Sequence, residues 1–284
     1  MDNVVKSSLK KVLLLMSIAL LCNVVIYFTM GQEKALQFLG GYLIEFSLSM
    51  DNLFVFITLF TAFKIPVDYQ HRCLAYGIMG AIILRLIFIS LGVAIVNSFE
   101  WVLYIFGFIL IISGIKMFRG EDDKEKDVHD NAVLKLLSKF IPISKDFDGH
   151  KFFTKIDGKR YATPLFAVLI VIELSDILFA IDSVPAVFSV STNLIVVYTS
   201  NIFAILGLRQ LYFVLEHLHE RFKYVKYGVA TILTFTGVKL ALLIVDWHIS
   251  ILASIGIIIC VLAASIVLSI LVTSRENKTK VNAE

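Results

Sequence analysis

The sequence predicts an all-α polytopic membrane protein with about eight transmembrane helices, six of which form two inverted three-helix repeats. Three observations lead to this prediction: the apolar content, a series of long apolar runs, and a duplicated order of charged residues. Of the 284 residues, 58% are hydrophobic, and the mean hydropathy is +0.85. Soluble domains contain roughly 45–50% apolar residues, so the composition indicates a membrane domain.

Each apolar run is long enough to cross a bilayer, which takes about 20 residues. The first, Val12 to Met30, follows three lysines, is long for a signal peptide and lacks a cleavage site, so we predict a retained anchor helix. Further runs lie at about 36–62, 73–97, 101–118, 164–190, 193–215, 224–246 and 249–272. The predicted organisation is an anchor helix (1–35), a first three-helix repeat (36–118), a cytoplasmic loop (119–163), a second three-helix repeat (164–246), and a C-terminal helix and tail (247–284).

The Lys and Arg residues of the connecting segments fall almost entirely on one side of the membrane. Of the segments assigned to the outside, only the first carries a basic residue, Lys34. Because cytoplasmic loops are enriched in Lys and Arg, both termini are predicted to be cytoplasmic.

Charged residues within the runs occur in the same order twice. In the first repeat they are Glu45, Asp51, Arg85 and Lys116, and in the second Asp176, Asp182, Arg209 and Lys239. The segment Glu45-Phe-Ser-Leu-Ser-Met-Asp51-Asn52 aligns with Asp176-Ile-Leu-Phe-Ala-Ile-Asp182-Ser183, and each lysine ends a Ser/Thr-Gly-x-Lys motif. A unit of three spans reverses its direction in the next copy. Such inverted repeats are common in secondary transporters, whose substrate site lies near the midplane between the repeats.

The acidic residues of these spans need a compensating interaction. An ionised carboxylate at bilayer depth costs about 2.5–3.5 kcal/mol, so a bound cation, a basic partner or protonation must offset each one. On straight helices Glu45 and Asp51 lie about 120° apart, and Glu173 points away from Asp182. One shared site therefore requires either broken helices or carboxylates on opposed walls of a groove. Pro185 favours a break in the second repeat, because it leaves the Ile181 carbonyl without its usual donor.

The candidate metal ligands are oxygen donors within the spans. They are Glu45, Asp51, Asn52, Glu173, Asp176 and Asp182, with Ser183 and backbone oxygens in support. Such a site suits Mn²⁺, Mg²⁺ or Ca²⁺ rather than Zn²⁺ or Cu⁺. Met50 is either a soft ligand that favours Mn²⁺ or a packing residue. Arg85, Arg209 and Lys239 are the predicted charge-balancing residues, while Lys116 is either part of the site or extends to the membrane surface. The alternative is that internal salt bridges only hold the bundle together.

The loop between the repeats contains smaller signals. Residues 121–127 form a charged run, and 133–140 predict a short interfacial helix. Asp157-Gly158 predicts a hairpin turn, and Thr163-Pro164 an N-cap and first-turn proline for the fifth span. The sequence has no nucleotide-binding loop, and nothing in it indicates a permanently bound cofactor. Its three cysteines have no paired spacing, so we interpret them as small apolar residues.

The sequence resembles the TerC family of bacterial integral membrane proteins over about residues 36–245. The resemblance lies in the Glu45–Asn52 segment, in Phe152-Phe-Thr-Lys-Ile-Asp-Gly-Lys-Arg-Tyr-Ala-Thr-Pro164, in Phe179-Ala-Ile-Asp-Ser-Val-Pro-Ala186, and in Ser200-Asn-Ile-Phe-Ala-Ile-Leu-Gly-Leu-Arg-Gln-Leu-Tyr212. It is similar above all to the pH-responsive, riboswitch-associated members. The resemblance implies manganese efflux across the bacterial inner membrane, with the six candidate ligands as the ion path. The family is named for tellurium resistance, which the sequence does not explain chemically. Met50 stands where the family usually has an aliphatic residue.

The predicted function is therefore export of divalent cations, most of all Mn²⁺, with export as the direction implied by the resemblance. The expected partners are the metal ion as substrate, protons as a candidate counter-ion and the lipid bilayer, with no nucleic acid. A scaffold for metal- or tellurite-stress or metallation proteins, acting through loop 119–163, is the alternative; it would tolerate neutralisation of Asp51 but not loss of the loop. No protease or hydrolase motif is present, so an enzyme is not expected.

Overall fold

The computed structural model describes residues 3–119, 142–144, 146–156, 158–216 and 224–281. Within these ranges lie eight α-helices: α1 (Asn3–Met30), α2 (Gln32–Ala62), α3 (Val67–Ser98), α4 (Val102–Arg119), α5 (Pro164–Phe188), α6 (Leu194–Glu216), α7 (Val225–Leu242) and α8 (Ile251–Val281). Each is long and apolar enough to cross a membrane. The predicted all-α membrane class and the eight spans are confirmed.

Because successive spans alternate in direction, the connections fall on two faces of the bundle. The face that holds both ends of the described chain also holds the connections 63–66 and 142–163; we call it the terminal face. The connections 99–101, 189–193 and 243–250 lie on the other side, the opposite face.

The two helices that carry the candidate ligands are continuous. α2 passes through the Ser47–Asn52 segment without interruption, and α5 continues past Pro185, which lies in its last turn. The Ser47 hydroxyl donates to the Leu43 carbonyl of its own helix, at 2.6 Å, and does not open it. The helix break that Pro185 favoured is therefore not observed, and of the candidate ligands Glu45, Asn52 and Asp182 line one cavity.

Among the six helices of the predicted repeats, the main contacts join a span of the first repeat to a span of the second. α4 packs along α7, α2 along α6, and α3 along α5. Where α4 crosses α7, the backbones approach so closely that a Cβ added at Gly237 would lie 2.7 Å from the Gly107 carbonyl oxygen. Small residues commonly allow such contacts between membrane helices. α1 packs on α6 and α2, and α8 on α7 and α2, so the two outer helices flank the other six.

A β-hairpin precedes α5 on the terminal face. Strand β1 (Phe153–Ile156) pairs antiparallel with β2 (Lys159–Ala162), and Gly158 has a φ of +76°, which confirms the predicted turn. Pro164 begins α5 as predicted, with Thr163 in the N-cap position. The Thr163 hydroxyl does not cap the helix, however: it donates to the Lys151 carbonyl at 2.8 Å and ties the hairpin to the span. The charged run at 121–127 and the interfacial helix predicted for 133–140 lie outside the described residues.

Candidate cation site

Glu45 of α2 is fully buried, and both of its carboxylate oxygens are engaged. Arg85 of α3 lies 2.7 Å from Glu45 Oε1, with Arg85 Nη1 as the contacting atom. The Ser49 hydroxyl donates to the same oxygen at 2.8 Å, and the Asn201 amide of α6 donates to Oε2 at 2.8 Å. A buried carboxylate needs such partners to remain ionised, so Arg85 compensates Glu45 within the protein.

Arg85 also connects this cluster to α5. Its Nη1 donates to the Ser183 hydroxyl at 2.6 Å, and its side chain is 2% exposed. Through Arg85 and Asn201 the cluster joins α2, α3, α5 and α6. The guanidinium is therefore held as a fixed positive charge near the middle of the bundle.

A cavity of about 310 Å³ adjoins this cluster. It runs from the middle of the helices toward the terminal face, where Lys116 and Met117, near the end of α4, and Val229, near the start of α7, line it. Its polar lining comprises Glu45, Ser49, Asn52, Arg85, Ser113, Lys116, Ser175, Asp182 and Ser183. The cavity thus presents charged and hydroxyl groups inside an otherwise apolar bundle, on helices of both predicted repeats.

Asp182 supplies a carboxylate to the wall formed by α5. The Ser113 hydroxyl of α4 donates to Asp182 Oδ1 at 2.8 Å and thereby orients the carboxylate. Asn52, which is 5% exposed, contributes an amide from the α2 wall. These neutral and charged oxygens are the ligand types that Mn²⁺, Mg²⁺ and Ca²⁺ accept.

Among the residues that the structure describes, no three His, Cys, Asp or Glu side chains form a group that could hold a metal ion. A cation in the cavity would therefore bind through Asp182, neutral oxygens and its own water ligands. Mg²⁺-like ions commonly keep several waters in protein sites. The side chain of Asp51, which adjoins Asn52 in sequence, lies outside the described part of the chain.

The other two acidic candidates lie elsewhere. Asp176, 8% exposed, lines a narrow cavity of about 20 Å³ that shares Ser49, Asn52 and Arg85 with the large one. Glu173 lines neither of these two cavities: its carboxylate lies against Gly80 of α3, where an added Cβ would collide with it. Because α5 is a straight run of helix here, Glu173 and Asp182 point to opposite sides.

The predicted charge-balancing residues differ in their surroundings. Arg85 pairs with Glu45, as described. The side chain of Arg209 lies outside the described part. Lys239 is buried, and its ammonium has no hydrogen-bond partner among the described residues, so its pairing stays a prediction. The cavity beside it is lined mainly by aliphatic side chains of α7, of the connection 243–250 and of α8, with no carboxylate among the lining residues.

Two remaining alternatives concern Met50 and Lys116. Met50 is 4% exposed and packs in the apolar core, so it acts as a packing residue in this structure. Lys116 lines the large cavity. Sequence reasoning did not identify Asn201, which holds Glu45. The sequence feature that could have identified Asn201 is an amide side chain within an apolar span that also contains Arg209.

The sequence of the chain is similar to those of known membrane proteins. The family described as "Integral membrane protein TerC family" matches residues 30–277. The chain is 46% identical to "Uncharacterized membrane protein STKORF319" of Myxococcus xanthus over 264 residues, which cover 93% of this chain and 82% of the relative.

Two further relatives come from a bacterium and a plant. "Putative membrane-bound redox modulator Alx" of Escherichia coli (strain K12) is 44% identical over 251 residues, covering 88% of this chain and 77% of the relative. "Thylakoid membrane protein TERC, chloroplastic" of Arabidopsis thaliana is 43% identical over 265 residues, covering 93% and 69%. No solved structure matches the chain.

Proposed function

Since this chain belongs to the TerC family of integral membrane proteins, we propose that it exports divalent cations, principally Mn²⁺, across the bacterial inner membrane. The observation that carries the proposal is the 310 Å³ cavity between helices of both predicted repeats, with Asp182, Asn52 and Ser113 in its wall. The excess of Lys and Arg on the terminal face supports a cytoplasmic location for that face and for both termini. The cavity then reaches toward the cytoplasm, from which exported ions come. The resemblance alone supplies the direction of transport.

The size of the cavity suits a cation that keeps part of its hydration shell. A water molecule occupies about 30 Å³ in the liquid, so about 310 Å³ accommodates an ion with several waters. Arg85 compensates Glu45, and the Asp182 carboxylate, oriented by Ser113, lies in the wall of the same cavity together with neutral oxygens. A site with few charged ligands binds a divalent cation without trapping it, as transport requires.

Protons are the proposed counter-ion. Metal ligands must be deprotonated before they bind, so cation binding releases protons and cation release permits their return. Asp176, beside the same Arg85 and Asn52, is in our proposal a second carboxylate that takes part in this exchange. An inward proton gradient could then drive the export of Mn²⁺.

Transport in inverted membrane vesicles tests this function. Wild-type vesicles should accumulate ⁵⁴Mn²⁺, and Asp182→Asn and Asp176→Asn should each abolish accumulation. Asp51→Asn should do the same, because the resemblance implies that Asp51 is part of the ion path. Glu100→Gln, in the exposed connection between α3 and α4, is the matched control and should transport normally. Amounts of inserted, folded protein are equalised first. If wild-type vesicles accumulate no ⁵⁴Mn²⁺ under any proton gradient, the proposal fails for this ion.

A scaffold for stress-response or metallation proteins is the second candidate function. The hairpin favours it, because Phe153 and Ile156 are exposed beside the long connection on the terminal face. Replacing residues 120–162 with a flexible linker would abolish a scaffold function, whereas Asp51→Asn would not. If the protein is an exporter, Asp51→Asn should abolish its function.

The name of the E. coli relative describes a redox modulator, so we also considered a redox function for this chain. Such a role through a dithiol would require two neighbouring cysteines. Here the cysteines are free and lie on three different helices: Cys22 on α1, Cys73 on α3 and Cys260 on α8. We therefore base the proposed function on the carboxylate cavity rather than on the cysteines.

A further inference from the structure

A separate cavity of about 180 Å³ lies on the opposite face, away from the mouth of the large cavity. It is formed where α5 ends, α7 ends and α8 begins. Its polar lining is Ser189, Lys239 and His248, and its other walls are aliphatic side chains of Leu and Ile. None of the residues that line it also lines the large cavity.

Two polar groups of this cavity have no partner among the described residues. Lys239 is 7% exposed, and its Nζ makes no hydrogen bond. The Ser189 Oγ is also buried without a hydrogen-bond partner. A buried ammonium with no counter-charge is strongly unfavourable, as is a buried donor with no acceptor. Both groups can donate, so a single acceptor in the cavity would satisfy them together.

The charge of the lining indicates which ligand fits. Lys239 would repel a metal cation, so this cavity is not a second binding site for the proposed substrate. Lys116, which holds the matching place in the duplicated sequence, lines the large cavity beside carboxylates, whereas no carboxylate lines the cavity of Lys239. A negative ligand would compensate the charge of Lys239, which a neutral acceptor would not.

We propose that this cavity binds a small monovalent anion of the halide class, held by the Lys239 ammonium and the Ser189 hydroxyl. One buried positive charge balances one negative charge. The aliphatic walls suit a weakly hydrated ion, whereas a multiply charged oxyanion needs more donors than these two groups provide. The proposal is independent of manganese transport.

Anion-dependent thermal unfolding tests the proposal on the full chain in lipid nanodiscs. Sodium bromide replaces sodium gluconate at constant ionic strength and constant Na⁺, and the melting temperature should rise with bromide and saturate. Lys239→Met should weaken apparent bromide binding by about tenfold or more, as expected for loss of one charge-assisted hydrogen bond. Lys239→Gln, which keeps a donor without the charge, should weaken it as well.

Lys34→Met is the matched control, because Lys34 lies on the same face but bonds to Gln37 at 3.1 Å and is not part of this cavity. It should retain the wild-type response. The proposal is overturned if wild type shows no saturable response to bromide, or if both Lys239 variants respond like wild type. Saturation by inorganic phosphate but not by bromide would also overturn it, since the site would then select an oxyanion.

Discussion

Arg85 shows at the scale of one residue how this bundle accommodates charge. Its guanidinium contacts Glu45 and Ser183, on two different helices, in a region where neither charge meets water freely. Removing one partner of a buried ion pair leaves the other charge uncompensated, which costs more than the pair itself contributes. The arginine is therefore needed because Glu45 is there.

Arg85→Met should lower the free energy of unfolding by about 3–5 kcal/mol. Glu45→Gln added to Arg85→Met should restore much of that loss, because a neutral amide can still bond to Ser49 and Asn201. Unfolding by a denaturing detergent, in a double-mutant cycle, measures this coupling. Arg160→Met, at an exposed position of β2, is the control and should change little. A double variant as unstable as Arg85→Met alone would contradict the account.

Asp148, outside the spans, provides a pH-dependent prediction. The Thr154 hydroxyl and then the Lys151 ammonium bond to Asp148 and hold the pKa of its carboxyl below the usual 3.8. Because the folded pKa is depressed, this interaction stabilises the hairpin fully above the usual value and is lost as the pH falls through the folded pKa. Thr154→Val should therefore raise the pKa of Asp148. A carboxyl ¹³C titration, assigned with Asp148→Asn, measures it, and an unchanged pKa in Thr154→Val would refute the assignment.

The sequence predicts individual site residues only in part. The duplication singled out Asp182 and Asn52, which line one cavity, because charged and amide groups inside spans stand out from apolar neighbours. It could not place Glu173 or Lys239, because the rotation of each helix about its own axis depends on its packing partners. Asn201 was not identified because its role depends on Glu45, a residue 156 positions away.

At the scale of elements, the contact between α4 and α7 depends on glycine. The Ser/Thr-Gly-x-Lys motifs were interpreted through their lysines, yet their glycines form the contact. Gly237 faces the Gly107 carbonyl, and Gly114 faces the Ala230 carbonyl. A Cβ added at either glycine would lie less than 3 Å from the carbonyl oxygen that it faces. The backbones must separate to admit any side chain.

Gly237→Ala should destabilise the protein by about 1–3 kcal/mol, because the added methyl meets backbone rather than a flexible side chain. Gly256→Ala is the matched control: it is also within a helix, but its Cβ would meet nothing within 4 Å. This substitution should be neutral or stabilising by up to about 1 kcal/mol, since alanine favours helix. Thermal unfolding of both variants in the same lipid tests the difference. Equal effects would show that close backbone contact does not limit this pair.

The continuity of α2 and α5 was not predictable from sequence. Pro185 permits either a break or a regular end to the helix, and its place in the last turn decides the outcome. A proline there removes the bond to the Ile181 carbonyl, but only three residues of helix follow it, so the helix ends without a break. The hairpin, in contrast, was predictable because Asp-Gly between two short polar–apolar segments has a strong local preference.

For the whole molecule, bilayer thickness explains why the eight spans were predictable. A span needs about 20 apolar residues, and this requirement is visible in the sequence without any tertiary contact. Which helix packs on which is not visible in the same way. In the observed pairs each helix of residues 32–119 packs on one of residues 164–242, and the inverted repeat itself stays a prediction.

We propose that a divalent cation binds at Asp182, in a cavity lined by helices of both halves of the chain. Mn²⁺ binding to the purified full chain in nanodiscs, measured as loss of the free-ion EPR signal, tests this most directly. Wild type and Glu100→Gln should remove free Mn²⁺ to the same extent, and Asp182→Asn should bind at least about tenfold more weakly, because it loses the charged ligand. If Asp182→Asn binds Mn²⁺ as wild type does, the cavity is not the cation site.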